Sequence, residues 1–188
     1  MQTILSTERL KLVPLRRPLL EAFISNRADF SRLLGAEVHA EWPVARELIP
    51  FVLNQLDRSP QAADWSTWAI INSKAACLIG DAGFKGLPDA QGCCEIGYSV
   101  IPSFRQRGFA TEAVTSIIEW VRLIPLIRFV RAETLASNIP SQRVLEKNGF
   151  VHAGDYNHPI DGLMRRFELS IAALHTPAGM LVDGVAGL

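Results

Sequence analysis

No apolar run in this sequence approaches the ~18 residues that a membrane-spanning helix needs, so no span is expected. The opening MQTILSTERL lacks the apolar stretch of a secretion signal, and a cytoplasmic location is expected. Excess charge of one sign is missing too, with 19 basic side chains against 19 acidic ones. That balance disfavours a general binder of nucleic acid or of an anionic membrane. Cysteine is scarce: Cys77, Cys93 and Cys94 are odd in number, form no C-x-x-C pair and fall in predicted strands. Buried reduced thiols are expected from them. A disulfide framework and a metal site are not expected, and no basic neighbour activates a catalytic thiol. Two phosphate motifs are absent, GxxxxGK[ST] and a GxGxxG following a predicted strand. No repeat or linker divides the 188 residues, which read as one domain over 1–174 and a loose tail over 175–188.

What is present is ordinary in composition, 48% apolar and 20% charged, which is enough to bury a core. The chain turns on EIGYSVIPSFRQRGFATEAV, Glu95 to Val114. Gly92–Ile101 reads as a strand, with Ile96, Tyr98 and Val100 on one face and Glu95, Gly97 and Ser99 on the other. Pro102 stops it, since proline cannot donate to a ladder. After the basic loop Ser103–Arg107 comes Gly108. A helix follows, with a core stripe of Ala110, Val114, Ile117, Ile118 and Val121. Strand, basic glycine turn and helix N-terminus together make an anion site. The first-turn N–H groups have no helical acceptor, and glycine admits a bulky phosphate close to the backbone.

Around this stretch the pattern predicts strands at Arg9–Leu15, Trp65–Ile71, Ala76–Phe84, Ile127–Thr134, Phe150–Gly154 and Leu163–Ser170. Helices are predicted over 18–26 and over 43–56, the second carrying Leu48, Phe51, Val52 and Leu56. Asn72-Ser73-Lys74 reads as a hairpin turn. Asn138 is placed to cap a further helix with Pro140 in its first turn, and Gly149 suits the left-handed position that ends it. The order implies an α/β domain with a mixed sheet and parallel strands on either side of the central helix.

Arg105-x-x-Gly108-x-Ala110 resembles the pyrophosphate turn, Q/R-x-x-G-x-G/A, of the GNAT superfamily of N-acetyltransferases. Thr7-Glu8-Arg9-Leu10-Lys11-Leu12, the central EIGY, and Asn138-x-x-Ser141-x-x-Val144-Leu145-Glu146-Lys147-x-Gly149-Phe150 resemble its RimJ/RimL-type members, which acetylate protein N-terminal α-amines. The resemblance runs from Glu8 to about Ser170. It implies a twisted mixed sheet of about seven strands flanked by helices, with splayed central parallel strands.

It also implies acetyl-CoA as co-substrate and direct attack by a primary amine in a ternary complex. The acceptor would be a protein N-terminus or a small-molecule amine such as an antibiotic or metabolite, and the protein a monomer or homodimer. Cofactor contacts are implied for Val100, Ile101, Arg105, Gln106, Arg107, Gly108, Phe109, Ala110, Thr111, Asn138 and Ser141. Many GNAT enzymes place a proton-donating tyrosine where this chain has Leu145, and the RimJ/RimL pattern offers Ser141 instead. The loss of that tyrosine leaves open a non-catalytic acyl-CoA-binding module.

Glu95 is the first choice of general base and Glu133 the reserve, although a carboxylate on a strand also serves as a plain ion-pair partner. An oxyanion is expected to meet a backbone N–H near Ser99–Ile101. Trp42, Tyr98, Phe104, Tyr156 and His158 are candidate acceptor-pocket residues.

Overall fold

The computed structural model describes residues 3–45 and 47–171, and the tail expected over 175–188 lies outside the described residues. Among the described residues nine strands form one open sheet. They are β1 (Leu5–Ser6), β2 (Leu10–Pro14), β3 (Glu37–Val38), β4 (Thr67–Asn72), β5 (Cys77–Phe84), β6 (Cys93–Val100), β7 (Phe129–Leu135), β8 (Val151–His158) and β9 (Gly162–Ser170). The spatial order is β1-β2-β4-β5-β6-β7-β9-β8, with β3 beside β5. Every pairing along that path is antiparallel except β6 with β7. The count exceeds the expected seven because β1 and β3 have two residues each, too few to show a period.

Among the described residues five α-helices flank the sheet: α1 (Arg17–Ser25), α2 (Arg27–Leu34), α3 (Leu48–Arg58), α4 (Phe109–Arg122) and α5 (Ile139–Lys147). The helix expected from Pro43 begins only at Leu48, and its buried residues are Ile49, Val52 and Leu56. Phe51, expected on that face, is exposed instead. The central helix α4 buries Phe109, Ala113, Val114, Ser116, Ile117, Ile118 and Val121. Ala110, expected in this stripe, is only half-buried. Each large aliphatic side chain in the stripe is worth about 1.5–3 kcal/mol by burial, so α4 is pinned firmly along its length.

Two local expectations hold. The Asn138 side chain caps α5 by accepting from the Ser141 N–H. At its other end Gly149 has φ 82° and the Phe150 N–H reaches the Leu145 carbonyl at 3.1 Å, a Schellman ending. One expectation fails: Asp155–His158 is not loop but continues β8 into a short hairpin with β9.

The feature that matters for function lies between β6 and β7. They pair only from Cys93 opposite Phe129 to Ile96 opposite Ala132. Beyond that, Gly97–Val100 stays with β5, while Glu133–Leu135 stays with β9. Each strand follows its outer neighbour, and the sheet opens as a V at its centre.

Candidate active site

A cleft of about 530 Å³ lies over this V, between the start of α4 and α5. Its lining includes Tyr98, Ser99 and Val100 from β6, Arg105–Thr111 without Arg107, and Asn138, Ser141, Arg143, Val144 and Lys147 from α5 and its cap. The turn entering α4 has an uncommon backbone. Gln106 has φ 59° and Gly108 has φ 83°, both left-handed. A non-glycine residue held there is strained, and such strain gathers where a loop must present its groups to a ligand. Among the described residues the N–H groups of Gln106, Arg107 and Gly108 meet no protein acceptor. With the first N–H groups of α4 they make a row of donors without protein partners, a shape suited to an anion.

Both arginines of the basic loop are held by the protein itself. Arg105 Nε donates to the Val100 carbonyl at 2.8 Å, so this side chain braces the loop against β6 while lining the cleft. The Arg107 guanidinium lies over Phe104 and Phe109, 5.2 and 5.3 Å from their ring centres, and does not line the cleft. Ile101 is fully buried and its N–H is taken by the Ile79 carbonyl at 2.9 Å. The positive charge that sequence reading missed comes from Arg143 and Lys147. Their i, i+4 spacing after the Asn138 cap puts both on one face of α5, the signal that could have revealed them.

Residues of β6 alternate in the direction of their backbone groups. Ile101 N–H and the Glu95 carbonyl both bond to the β5 side, which turns the groups of Tyr98 and Val100 toward the gap. Of the Ser99–Ile101 window, only the Val100 N–H therefore faces the opening.

Tyr98 reaches Ser141 across the cleft. Its hydroxyl lies 2.9 Å from Ser141 Oγ and 2.9 Å from the Ser141 carbonyl oxygen. Burial pushes the Tyr98 phenol up to about 12, so it is protonated at neutral pH. Leu145 is buried and offers no proton. The hydroxyl missing at 145 is thus present on the opposite wall.

The other face of the sheet at the V carries Glu95, Arg131, Glu133 and, from β9, Arg166. Glu95 lies within the paired segment of β6, is ion-paired with Lys85, and does not line the cleft. Glu133 does not line the cleft either, but it stands one residue past the last β6–β7 pair, where the two strands part. Its carboxylate accepts from Tyr156 Oη at 2.6 Å and Arg166 Nε at 2.9 Å. Burial alone would raise its pKa, but these two donors outweigh burial and hold it below the usual carboxylate range.

The remaining acceptor candidates are scattered. Trp42 is a core residue at 1% exposure, stacked on Phe30 and donating to Asp81 at 2.8 Å, because its ring closes the space under α1 and α2. Phe104 lines the cleft on the turn side. His158 sits at the tip of the β8–β9 hairpin, paired with Asp161 and away from the cleft. The cysteines are free and at least half-buried, and burial pushes the Cys94 thiol up to about 12.

Residues 9–151 match the acetyltransferase (GNAT) domain family. The uncharacterized N-acetyltransferase YjdG of Bacillus subtilis is 31% identical over 160 residues, covering 82% of this chain and 95% of that protein. The fold is that of RimL, the ribosomal L7/L12 α-N-protein acetyltransferase, solved with coenzyme A. That structure has TM-score 0.67 and 16% identity, over 91% of this chain and 99% of the other. It is also that of MccE, the microcin C7 self-immunity acetyltransferase, solved with acetyl-CoA and AMP. There the TM-score is 0.60 and the identity 15%, over 88% and 94% of the two chains. The family match over most of the domain and the near full-length relative place this chain in the GNAT family, as an N-acetyltransferase whose co-substrate is acetyl-CoA.

Proposed function

We propose that this enzyme acetylates a protein N-terminal α-amine by direct attack on acetyl-CoA in a ternary complex. The observation that carries the reading is the parting of β6 and β7 just before Glu133, beside a cleft walled by Tyr98, Ser99 and Val100 of the same β6. The diphosphate lies on the N–H nest from Gln106 to Ala110, with Arg105, Arg143 and Lys147 around it and Thr111 and Asn138 beside it. The thioester then lies at the V, where the Val100 N–H takes the developing oxyanion. Glu133, rather than Glu95, takes the proton from the ammonium, directly or through water. The amine nitrogen attacks the carbonyl carbon and the C–S bond breaks. The thiolate takes a proton from Ser141 Oγ, Tyr98 Oη passes its own to Ser141, and the second proton that the nitrogen sheds on becoming an amide returns through solvent to Tyr98.

An α-amine suits this carboxylate. Its pKa near 8 makes deprotonation at neutral pH about 3 kcal/mol cheaper than for a lysine, at ~1.36 kcal/mol per unit. A base whose pKa is held low therefore suffices.

One observation favours a small-molecule amine as the second reading. Glu95 and Glu133 are each paired with a base, so the face offers no surplus acidity to a basic peptide. Release of free thiol is followed with free N-terminal peptides, the same peptides capped at the N-terminus, and small amines. Turnover with free but not capped peptides is expected, and Glu133→Gln should lower it far more than Glu95→Gln. Turnover with small amines alone would replace the first reading by the second, and equal loss in both variants would remove Glu133 as the base.

A further inference from the structure

The opening motif Thr7-Glu8-Arg9-Leu10 contributes no side chain to the cleft. Its partner is Glu112, in the first turn of α4 and about a hundred residues away in sequence. Glu112 Oε1 accepts from Thr7 Oγ1 at 2.5 Å and from the Arg9 N–H at 3.0 Å. Glu112 Oε2 accepts from Arg9 Nε at 2.6 Å and faces Arg9 Nη2 at 2.5 Å. Both oxygens are thus taken by one short segment, with the guanidinium bound through two nitrogens. The free edge of that guanidinium turns to the phosphate turn. Arg9 Nη1 donates to the Arg107 carbonyl at 3.0 Å, and the Arg9 Cζ lies 4.7 Å from the centre of the Phe109 ring. The contact with the turn is close, because a Cβ built on Gly108 would stand 3.3 Å from Arg9 Nη2.

We infer that Arg9, anchored by Glu112, is a positioning residue for the acetyl-CoA diphosphate. A peptide group is planar and trans, so its C=O and N–H point in opposite directions. Holding the Arg107 carbonyl toward Arg9 turns the Gly108 N–H the other way, into the cleft that Gly108 lines. The left-handed φ values of Gln106 and Gly108 are costly alone, and Arg9 supplies the contact that keeps the turn in that shape. Charge points the same way. A bare Glu112 carboxylate in the first turn of α4 would repel a diphosphate at the same helix end, and Arg9 neutralises it. The motif thus serves the donor substrate from behind the turn, without touching it.

This rests on the diphosphate lying at the turn, and two probes separate the two ideas. Wild type, Arg9→Ala, Arg9→Lys and Glu112→Gln are titrated with acetyl-CoA and with S-acetyl-pantetheine, which has the same thioester and no phosphate. The readout is the ratio of the two dissociation constants, which is insensitive to the fraction of protein folded. Wild type should prefer acetyl-CoA strongly. Losing the aim of one charge-assisted bond should shrink the preference roughly 10- to 100-fold in Arg9→Ala. Lysine keeps the charge but cannot bridge Glu112 and the Arg107 carbonyl together, so Arg9→Lys should recover only a fraction of it. A preference intact in Arg9→Ala, or fully restored by lysine, overturns the inference and leaves the diphosphate site standing. A wild type without any preference overturns both.

Discussion

Replacing Asp81 by asparagine should stabilise the protein at pH 8 and do much less at pH 4.5. Asp81 on β5 is 7% exposed and its carboxylate accepts from Trp42 Nε1 at 2.8 Å and Ser99 Oγ at 3.0 Å. Burial pushes its pKa from 3.8 up to about 6, against the lowering effect of those two donors. At pH well below 4 the carboxyl is protonated in both the folded and the unfolded chain, and folding is not penalised. Between about 4 and 6 the unfolded chain gives up its proton while the folded chain keeps it, so stability is lost as pH rises. Above 6 the loss is complete. Two units at ~1.36 kcal/mol each make it about 3 kcal/mol.

The amide introduced by Asp81→Asn keeps the shape of the carboxylate: its carbonyl accepts from Trp42 and its NH₂ donates to a turned Ser99 hydroxyl. At ~2–4 °C per kcal/mol for a chain of this size, a Tm gain of several degrees at pH 8 is expected. Thermal melts of both proteins from pH 4.5 to pH 8 give the difference at each pH. Every other group titrates alike in the two, so the pH dependence of the difference isolates Asp81. A difference that does not change with pH, or a variant less stable at pH 8 than at pH 4.5 relative to wild type, refutes the reasoning.

Gly108 is left-handed, so Gly108→Val should cost about 1–2 kcal/mol of stability from φ alone, read by urea unfolding. It should also weaken acetyl-CoA binding more than Gly108→Asn, which tolerates that φ. Calorimetric titration with acetyl-CoA checks the order. Ser141→Ala should lower kcat roughly 100-fold, at the low end of general acid catalysis, while KM for acetyl-CoA changes little. Tyr98→Phe should lower it less, because Ser141 keeps its own proton. Steady-state thiol release measures both, and a near wild-type Ser141→Ala would move the proton donor elsewhere.

Local chemistry made much of the fold legible. The end of β6 at Pro102, the Asn138 cap and the Gly149 ending are each decided within a few residues, and all stand where expected. The glycine turn between β6 and α4 was legible for the same reason. The end of β8 was not, because an edge strand with Asp155, Asn157 and His158 shows no apolar alternation. Long-range placement was hidden as well. Nothing near Trp42 says that Phe30 and Asp81 will enclose it, and nothing near Glu95 says that β6 and β7 diverge just beyond Ile96. The choice between Glu95 and Glu133 depends on that divergence. Arg107 looked like a phosphate ligand, yet two neighbouring aromatic rings draw its side chain away from the cleft.

Acetyl-CoA is proposed to thread the V between β6 and β7 with its diphosphate on the turn before α4. A crystal structure with acetyl-CoA, or with a non-hydrolysable thioether analogue, tests it most directly. Diphosphate oxygens are expected within hydrogen-bonding distance of N–H groups between Gln106 and Ala110. The acyl carbonyl oxygen is expected to face the Val100 N–H, with the acyl carbon open to Glu133. A diphosphate held by Arg143 and Lys147 with the turn empty, or an acyl group that stays on the α5 side of the sheet, would contradict it.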